Sequence, residues 1–285
     1  MHTKFQKNLI DFSFLLPALI IFAVMIVLPF FMGAVIAFTD WNGLTKTFNF
    51  IGFRNFVRLF QTPAIAQDTL HTVYFTVLQT TSVNIVGLAL ALLITRATVM
   101  NHFLRTVFFL PFMCSIVFCA FVWSYFYADV MKAVFGTINP LSSTTWVIPG
   151  IALIALWRDA GYAMIIYLAG LQAIPESLYE AAVVDGVNPI QKFFKITVPL
   201  LVPSLMINIT LYIGWGLKTF DYVMAATGGG PGGSSSETVA ILVYKYAFPY
   251  NRAGLGQAFA LVMMLVIVVI TQGIARFFRS KEVEY

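Results

Sequence analysis

The stretch YEAAVVDGVNPIQKFFKITVPLL, residues 179–201, is a charged segment between two long apolar stretches. The spacing i, i+3, i+4, i+7, which places side chains on one face of a helix, is found at Leu178, directly before the stretch, and at Ala181, Ala182 and Asp185 within it. Gly186 then suits the left-handed position that commonly ends a helix. The segment therefore predicts a short helix that stops at a glycine.

A second helix is predicted directly after that glycine. Asn188, Pro189 and Gln191 match the N-cap, first and third positions of a helix. Residues 173–199 thus predict helix, tight turn and helix, lying at the cytoplasmic surface of a membrane. On spacing alone, a solvated connecting loop is an equally good interpretation.

The composition identifies lipid as the main solvent of the rest of the chain. The 285 residues are 60% hydrophobic and 10% charged, with a mean hydropathy of +0.86. A soluble domain carries about 25% charged residues, so this chain has too few to cover a surface facing water. The net charge of +5 does not indicate a nucleic-acid partner, because the basic residues lie in short loops between apolar stretches.

Six stretches are long and apolar enough to cross a bilayer as helices. They are residues 12–38, 70–94, 103–126, 146–171, 199–224 and 256–278. The predicted fold class is an all-α polytopic membrane protein, with residues 1–285 forming a single transmembrane domain. The first stretch is too long for the core of a cleaved signal peptide and lacks a clear cleavage site, so we expect it to remain as a span.

The basic residues favour one orientation of these spans. Nine lie at one set of ends: Lys4, Lys7, Arg96, Arg105, Lys192, Lys195, Arg276, Arg279 and Lys281. Six lie at the other: Lys46, Arg54, Arg58, Lys132, Lys245 and Arg252. Because basic residues are retained on the cytoplasmic side, both termini and the segment at residues 173–199 are expected in the cytoplasm of a prokaryotic cell.

Sequence motifs for catalysis or metal binding are missing. Cys114 and Cys119 are five apart inside an apolar stretch, which is not the spacing of a metal-ligand or redox pair. The sequence contains no HExxH and no GxSxG pattern, and no span carries paired carboxylates. No residue is therefore assigned to catalysis or to a metal ion.

The charged segment resembles the signature loop of the membrane subunits of binding-protein-dependent ABC importers. In that loop Glu-Ala-Ala is followed after three residues by Gly, and after nine more by Ile, any residue, Leu and Pro. The matching positions here are Glu180, Ala181, Ala182, Gly186, Ile196 and Pro199. Val198 stands where the family usually has Leu.

The resemblance extends over nearly the whole chain. The stretches LLPALIIFAVMIVLPF, FTDWNG, FIGFRNFVRLF, RTVFFLPF, LAGLQAIPESLYEAA and LKTFDYVMAATGGGPGGSSSET are similar to the carbohydrate-importing branch. The similarity is greatest to the first permease of maltose, multiple-sugar and glycerol-phosphate systems. It implies the type I importer permease fold, and import of a carbohydrate, expected to be an oligosaccharide, by alternating access.

The resemblance also implies partners. Glu180, Ala181, Ala182, Asp185 and Gly186 would form a coupling helix that docks on a cytoplasmic ATPase subunit. Two such subunits would hold ATP and Mg, so that this chain binds no cofactor of its own. A second homologous permease, an extracellular sugar-binding protein and the bilayer would complete the assembly.

Polar residues inside the predicted spans indicate a substrate pathway, because they are costly in lipid and usually face a cavity. Trp215, Lys218 and Asp221 are three apart and would share a helical face, and Tyr162 and Asn84 could add to the set. Sites for sugars combine an aromatic surface with hydrogen-bond donors and acceptors. An internal ion pair between Lys218 and Asp221 is an equally good interpretation.

Arg158 and Asp159 are ionisable neighbours in the fourth span. A structural role is favoured for them, because sequence neighbours on a helix point to different faces. Relatives often have Asn where Ala163 stands, which weakens the case for direct sugar contact near Tyr162.

The glycine-rich stretch TGGGPGGSSSET, residues 227–238, lacks the Lys of a phosphate-binding loop. By resemblance it is an outer loop in which Gly228, Gly229, Gly230 and Pro231 contact the binding protein. A flexible linker is the alternative. In both cases the glycines predict an exposed backbone without a fixed conformation.

Three other functions are compatible with a membrane chain: a membrane enzyme, an autonomous secondary transporter, and an importer permease for a sugar phosphate. No catalytic constellation supports the enzyme, and no internal repeat supports the secondary transporter. Neighbouring genes for a second permease, an ATPase and a secreted binding protein would decide among them.

Overall fold

The computed structural model describes residues 4–136, 139–231 and 234–281, without the side chains of residues 4–11 and Phe135. These parts of the chain are helical except for connecting segments and one isolated antiparallel bridge between Thr39 and Phe50. The helices are α1 (Lys4–Phe22), α2 (Leu28–Ile36), α3 (Arg54–Gln61), α4 (Ala64–Leu93), α5 (Val99–Met113), α6 (Ile116–Tyr125), α7 (Met131–Phe135), α8 (Val147–Ala173), α9 (Glu176–Val184), α10 (Pro189–Lys192), α11 (Val198–Leu200), α12 (Val202–Leu217), α13 (Asp221–Thr227), α14 (Val239–Ala247) and α15 (Ala253–Arg279). π-Helical turns join α1 to α2, α6 to α7 and α10 to α11.

Four of the six predicted spans are confirmed as long apolar helices. In chain order they are Phe12–Ile36, Ala64–Leu93, Val147–Ala173 and Ala253–Arg279. By length and composition, the described chain has five helices that could cross a membrane, or six if one bent pair counts as a span. The all-α polytopic fold class follows from this architecture.

The third predicted span, residues 103–126, is wrong in its position. Helix α5 ends at Met113, and the helix that qualifies as a span is Ile116–Val134. Pro111 lies in the last turn of α5, and Ser115 caps the next helix by accepting a hydrogen bond from the Phe118 N–H. A proline followed by an N-cap serine ends one helix and begins another, even where every residue is apolar enough to continue.

The fifth predicted span, residues 199–224, is also broken. The chain bends by 67° between the helical segments Pro189–Leu200 and Val202–Leu217. The bend occurs because Pro203 is accommodated in the first turn of a helix but would break the interior of a continuous one. A second break separates the end of α12 at Leu217 from the start of α13 at Asp221.

The chain divides into two compact units. The first takes in the described residues up to Thr62 together with Val243–Val262. Within it, the Asn55 amide donates to the carbonyls of Ala37 and Thr39 at 2.9 and 2.8 Å, which satisfies acceptors left free beyond the end of α2. Gly254 donates its N–H to the Trp41 carbonyl at 2.8 Å, and a side chain there would collide with the Thr39 carbonyl.

The second unit takes in Pro63–Leu242 and the described residues from Met263 onward. Its centre is the pair α4 and α8, whose most apolar windows are 39% and 61% buried. Glycines permit the close approach of this pair: a Cβ atom on Gly87 would lie 2.7 Å from that of Ala163. Gly161 lies so close to the Phe108 carbonyl that no side chain fits between α8 and α5.

Candidate functional site

A cavity of about 390 Å³ opens in the second unit, where two broken helices meet α4 and α8. Small-molecule sites have volumes of roughly 300–1,000 Å³, so this cavity is large enough for one. Its lining residues are Gln79, Phe112, Ile116, Arg158, Asp159, Trp215, Lys218, Thr219, Phe220, Asp221 and Tyr222. Phe112 and Ile116 flank the break after α5, and Lys218–Phe220 form the break between α12 and α13. Irregular backbone at membrane depth is tolerated where it lines such a cavity.

Arg158 and Asp159 form an ion pair at the buried side of this cavity. Their closest nitrogen and oxygen atoms are 2.8 Å apart, with 14% of the Arg158 side chain and 1% of the Asp159 side chain exposed. This contact forms although sequence neighbours on a helix point to different faces. The Cα–Cβ bonds do diverge, but the Arg158 side chain is long enough to bring its guanidinium back to the carboxylate.

Arg158 also caps the end of α5. Its Nε donates to the Cys114 carbonyl at 3.1 Å and its Nη2 donates to the Phe112 carbonyl at 3.2 Å. The last carbonyls of a helix have no partner within the helix and carry its negative dipole end, so a cation is favoured there. The guanidinium carbon lies 4.7 Å from the centre of the Phe112 ring. Arg158 thus fixes both the broken backbone and an aromatic wall of the cavity.

Asp159 is held from three further elements. The Tyr222 hydroxyl on α13 donates to its two carboxylate oxygens at 3.0 and 2.9 Å, and Gln79 Nε2 on α4 donates to Oδ2 at 2.9 Å. The Tyr212 hydroxyl on α12 donates to the Asp159 backbone carbonyl at 2.9 Å. The sequence analysis missed Gln79 and Tyr222. The signal for Gln79 is its own polarity, in the middle of a predicted span.

Trp215, Lys218 and Asp221 all line the cavity, but not as one face of one helix. Trp215 lies in α12, Lys218 is the residue that caps its C-terminus, and Asp221 begins α13. The side chains converge because the chain turns between the two helices. No Lys218–Asp221 ion pair is present among the described residues, and both side chains are exposed.

Three aromatic rings form a stack beside the cavity. The ring centres of Phe112 and Tyr162 are 4.5 Å apart, and those of Phe112 and Trp215 are 6.3 Å apart, both pairs stacked. Phe112 and Trp215 line the cavity, whereas Tyr162 does not line it and packs against both of these rings. This wall is suited to the apolar C–H face of a ring-shaped ligand.

Asn84 does not line the cavity. Its carbonyl oxygen accepts a hydrogen bond from the Tyr167 hydroxyl, and its amide donates to the Thr80 carbonyl at 2.7 Å. The side chain is buried, with 9% of its surface exposed. The bond from Tyr167 joins α8 to α4, and the proposed contact of Asn84 with a substrate stays a prediction.

The charged segment forms helix α9, a glycine turn and helix α10. Gly186 has φ of +68°, and the N–H groups of Gly186 and Val187 donate to the carbonyls of Val183 and Ala182 at 3.1 and 2.9 Å. Asn188 and Gln191 then form a capping box at the start of α10. The helix–turn–helix interpretation is confirmed over the alternative of a solvated loop.

The outer surface of this segment differs in one respect from the expectation. Glu180, Ala181, Asp185 and Gly186 are exposed, whereas Ala182 is only 4% exposed and faces the body of the chain. Adjacent residues on a helix point about 100° apart, so Ala181 and Ala182 cannot contact the same partner surface to the same extent. Exposed apolar side chains beside them belong to Val183, Val184, Ile190 and Phe194.

The glycine-rich loop has a defined conformation in its described part. Gly228, Gly229 and Gly230 have φ of +62°, +117° and +102°, values that favour glycine. The Ser236 N–H donates to the Gly229 carbonyl at 3.0 Å, and the Ser235 hydroxyl donates to the Pro231 carbonyl at 2.6 Å. The expectation of an unfixed backbone is therefore wrong for these residues. Gly232 and Gly233 lie outside the described residues.

Comparisons with known proteins agree with this architecture. The family described as binding-protein-dependent transport system inner membrane component matches residues 4–282. The chain is 32% identical to the permease protein of a probable starch degradation products transport system from Thermoanaerobacterium thermosulfurigenes, over 99% of this chain and 98% of that one. It is also 32% identical to the permease protein of a sulfoquinovosyl glycerol transport system from Agrobacterium fabrum, over 94% and 90%.

A solved structure shares the fold. The bacterial alginate ABC transporter, determined in complex with an alginate pentasaccharide-bound periplasmic protein, superimposes with a TM-score of 0.83 at 24% identity, over 96% of this chain and 95% of that chain.

Proposed function

This chain belongs to the family of binding-protein-dependent transport system inner membrane components, and on that premise we propose that it forms half of the pathway through which an ATP-driven importer moves a carbohydrate into the cell. The family consists of transport subunits, so the chain is not itself an enzyme. ATP and Mg belong to two cytoplasmic ATPase subunits, and a second homologous permease supplies the other half of the pathway.

The cavity beside α8 is the observation that supports a carbohydrate. It combines the aromatic rings of Phe112 and Trp215 with polar side chains from three other elements. Saccharide systems are also named for both curated relatives and for the solved neighbour. A membrane enzyme or an autonomous transporter would have no use for the exposed segment between α8 and α12.

The orientation follows from the same assignment. Segment α9–α10 faces the cytoplasm and docks on an ATPase through Glu180, Ala181, Asp185 and Gly186. Both termini then lie in the cytoplasm, and the glycine-rich loop with Gly228, Gly229, Gly230 and Pro231 faces the external sugar-binding protein. ATP binding to the ATPase pair moves the short rigid helices as one body, which switches the permease pair between inward- and outward-facing states.

The test is transport by the complete complex. This chain, the second permease, the ATPase and the binding protein encoded with it would be reconstituted in liposomes and supplied with maltotriose, alginate trisaccharide or sulfoquinovosyl glycerol. We expect accumulation of a saccharide that needs both ATP and the binding protein. Failure of all three probes to accumulate or to stimulate ATPase activity would contradict the proposed function.

A further inference from the structure

Gln79 has a buried hydrogen-bond acceptor that no described residue uses. Its side chain is 1% exposed and lines the cavity, and its Oε1 atom has no hydrogen-bond partner among the described residues. A buried carbonyl oxygen without a partner is costly, so its retention in a binding cavity needs a reason.

The orientation of the Gln79 amide is fixed by its neighbour. An ionised carboxylate can only accept hydrogen bonds, so the NH₂ end of the amide must face Asp159, as it does at 2.9 Å. Turning the amide over would place two oxygens against each other. The Oε1 atom is consequently held away from Asp159, and it belongs to a side chain that lines the cavity.

The buried ion pair presents no net charge to a ligand, because the Arg158 guanidinium and the Asp159 carboxylate neutralise each other. Arg158 donates from all three of its nitrogens, to Cys114, Phe112, Tyr222 and Asp159. Both carboxylate oxygens of Asp159 accept hydrogen bonds from protein groups. The remaining charges of the cavity, on Lys218 and Asp221, lie at its exposed side and are opposite in sign.

A second polar atom without a partner belongs to another residue that lines the cavity. Thr219 is 5% exposed, and its Oγ1 has no hydrogen-bond partner among the described residues. The Thr219 hydroxyl can donate or accept, whereas Gln79 Oε1 can only accept. The unpaired polar groups at the buried side therefore match a hydroxyl, which donates and accepts, better than an anion, which only accepts.

We propose that Gln79 Oε1 accepts a hydrogen bond from a sugar hydroxyl at the buried end of the cavity, and that this contact selects neutral saccharides over sugar phosphates, sulfonates and uronates. The inference rests on the proposed function and specifies its substrate class. A site built to bind a hydroxyl discriminates strongly, because a group that cannot donate leaves its acceptor unpaired.

The test compares Gln79→Met with Thr80→Val in the reconstituted complex. Methionine keeps the length of the side chain and removes the acceptor. Thr80 is the next residue of α4; its hydroxyl is also buried and unpaired, but it does not line the cavity. With maltotriose as the probe, we expect the import rate of Gln79→Met to fall about tenfold, as for the loss of one hydrogen bond. ATPase stimulation by the loaded binding protein should stay within about twofold, since docking precedes entry into the cavity.

Thr80→Val should change neither rate. If Gln79→Met imports maltotriose at the wild-type rate, or if it loses import and stimulated ATPase activity together while Thr80→Val retains both, Gln79 has no specific role in binding. The second outcome would identify it as a structural residue.

A further measurement needs no variant and separates this inference from the proposed function. The wild-type complex should import maltotriose and reject alginate trisaccharide, whose uronates are anionic, and sulfoquinovosyl glycerol, whose sulfonate is anionic. Import of an anionic probe in preference to maltotriose would overturn the inference while leaving the chain a saccharide permease. Import of none would overturn the proposed function itself.

Discussion

At the scale of single residues, Arg158 carries more of this architecture than any other charged side chain in the cavity. Its guanidinium donates hydrogen bonds to the carbonyls of Phe112 and Cys114, which have no helical partners at the end of α5. It also neutralises the buried carboxylate of Asp159. A helix can stop inside a membrane only where its free carbonyls find donors. The break after α5 and the charge on α8 are therefore one structural feature.

Replacement of Arg158 by Leu should destabilise the purified complex by about 3 kcal/mol, because the substitution leaves a buried carboxylate unpaired and two carbonyls without donors. Arg54→Leu is the matched control, since Arg54 is exposed on α3 and should cost no more than about 0.5 kcal/mol. Denaturant unfolding of the complex measures both. Equal stability of the two variants would show that the capping bonds of Arg158 contribute nothing.

Gly161 provides a test of packing between α5 and α8. Gly161→Ala would push a methyl group into the Phe108 carbonyl, whereas Gly273→Ala in α15 meets nothing within 4 Å. We expect the first variant to cost roughly 1–3 kcal/mol through overpacking. The second should be neutral or gain up to about 1 kcal/mol from helix propensity. Thermal unfolding distinguishes the two, and a stable Gly161→Ala protein would contradict the close contact.

At the scale of elements, the sequence predicted helices better than it predicted where they break. The segment α9–α10 was recoverable because its stop and start signals are local: a glycine with φ of +68° and an Asn188 capping box. The breaks beside the cavity were missed because hydropathy continues across them. Pro111 marked the break after α5 and Pro203 marked the bend before α12, but apolar composition outweighed them in the prediction. No proline marks the break between α12 and α13.

The cavity was predictable only in part, for a related reason. Trp215, Lys218 and Asp221 were found by their polarity or size, although the helical face assumed for them does not exist. Three further lining residues, Gln79, Phe112 and Tyr222, come from distant parts of the chain and reach the cavity through tertiary contacts. The periodicity of a single sequence carries no information about such contacts. Local pattern thus identified candidate residues but not their partners.

Gly186 tests the element that we assign to ATPase docking. A Cβ atom there meets nothing within 4 Å, so a substitution acts only through the left-handed backbone. Gly186→Leu should cost about 1 kcal/mol or more and re-aim α10, whereas Gly186→Asn should be tolerated in this conformation. We expect Leu to uncouple ATP hydrolysis from import and Asn to preserve coupling. Wild-type sugar uptake by Gly186→Leu would exclude this role.

A hydrogen bond from the Thr238 hydroxyl to the Thr219 carbonyl, at 2.8 Å, connects the glycine-rich loop to the cavity. Thr219 lies in the break that lines the cavity, so displacement of the loop would move that wall. Thr238→Val should reduce import about three- to tenfold, the effect of roughly 1 kcal/mol. Ser235→Ala is the control, because among the described residues the Ser235 hydroxyl bonds to Pro231, within the loop itself. Equal import by both variants would make the connection irrelevant.

At the scale of the whole molecule, burial is distributed very unevenly among the candidate spans. In the most apolar window of each helix, 61% of the residues are buried in Val147–Ala173, 11% in Ala253–Arg279 and none in Phe12–Ile36. Apolar helices with so few buried residues are covered by lipid or by another subunit. Charged side chains are different, because lipid cannot cover them without a large cost in free energy.

The charges of Lys218 and Asp221 bear on assembly, because lipid cannot cover them as it covers an apolar helix. Both are exposed at the open side of the cavity, and neither pairs with the other within the described chain. In a bilayer these groups require water or polar groups from a second subunit, so a single permease encloses only part of a polar pathway.

The prediction is that the purified chain alone, in liposomes, will not carry maltotriose down a gradient. Addition of the second permease and the ATPase subunits should restore import that depends on ATP and the binding protein. Downhill flux through this chain by itself would establish a complete pathway within one subunit, and the assembly of two permeases would then be unnecessary.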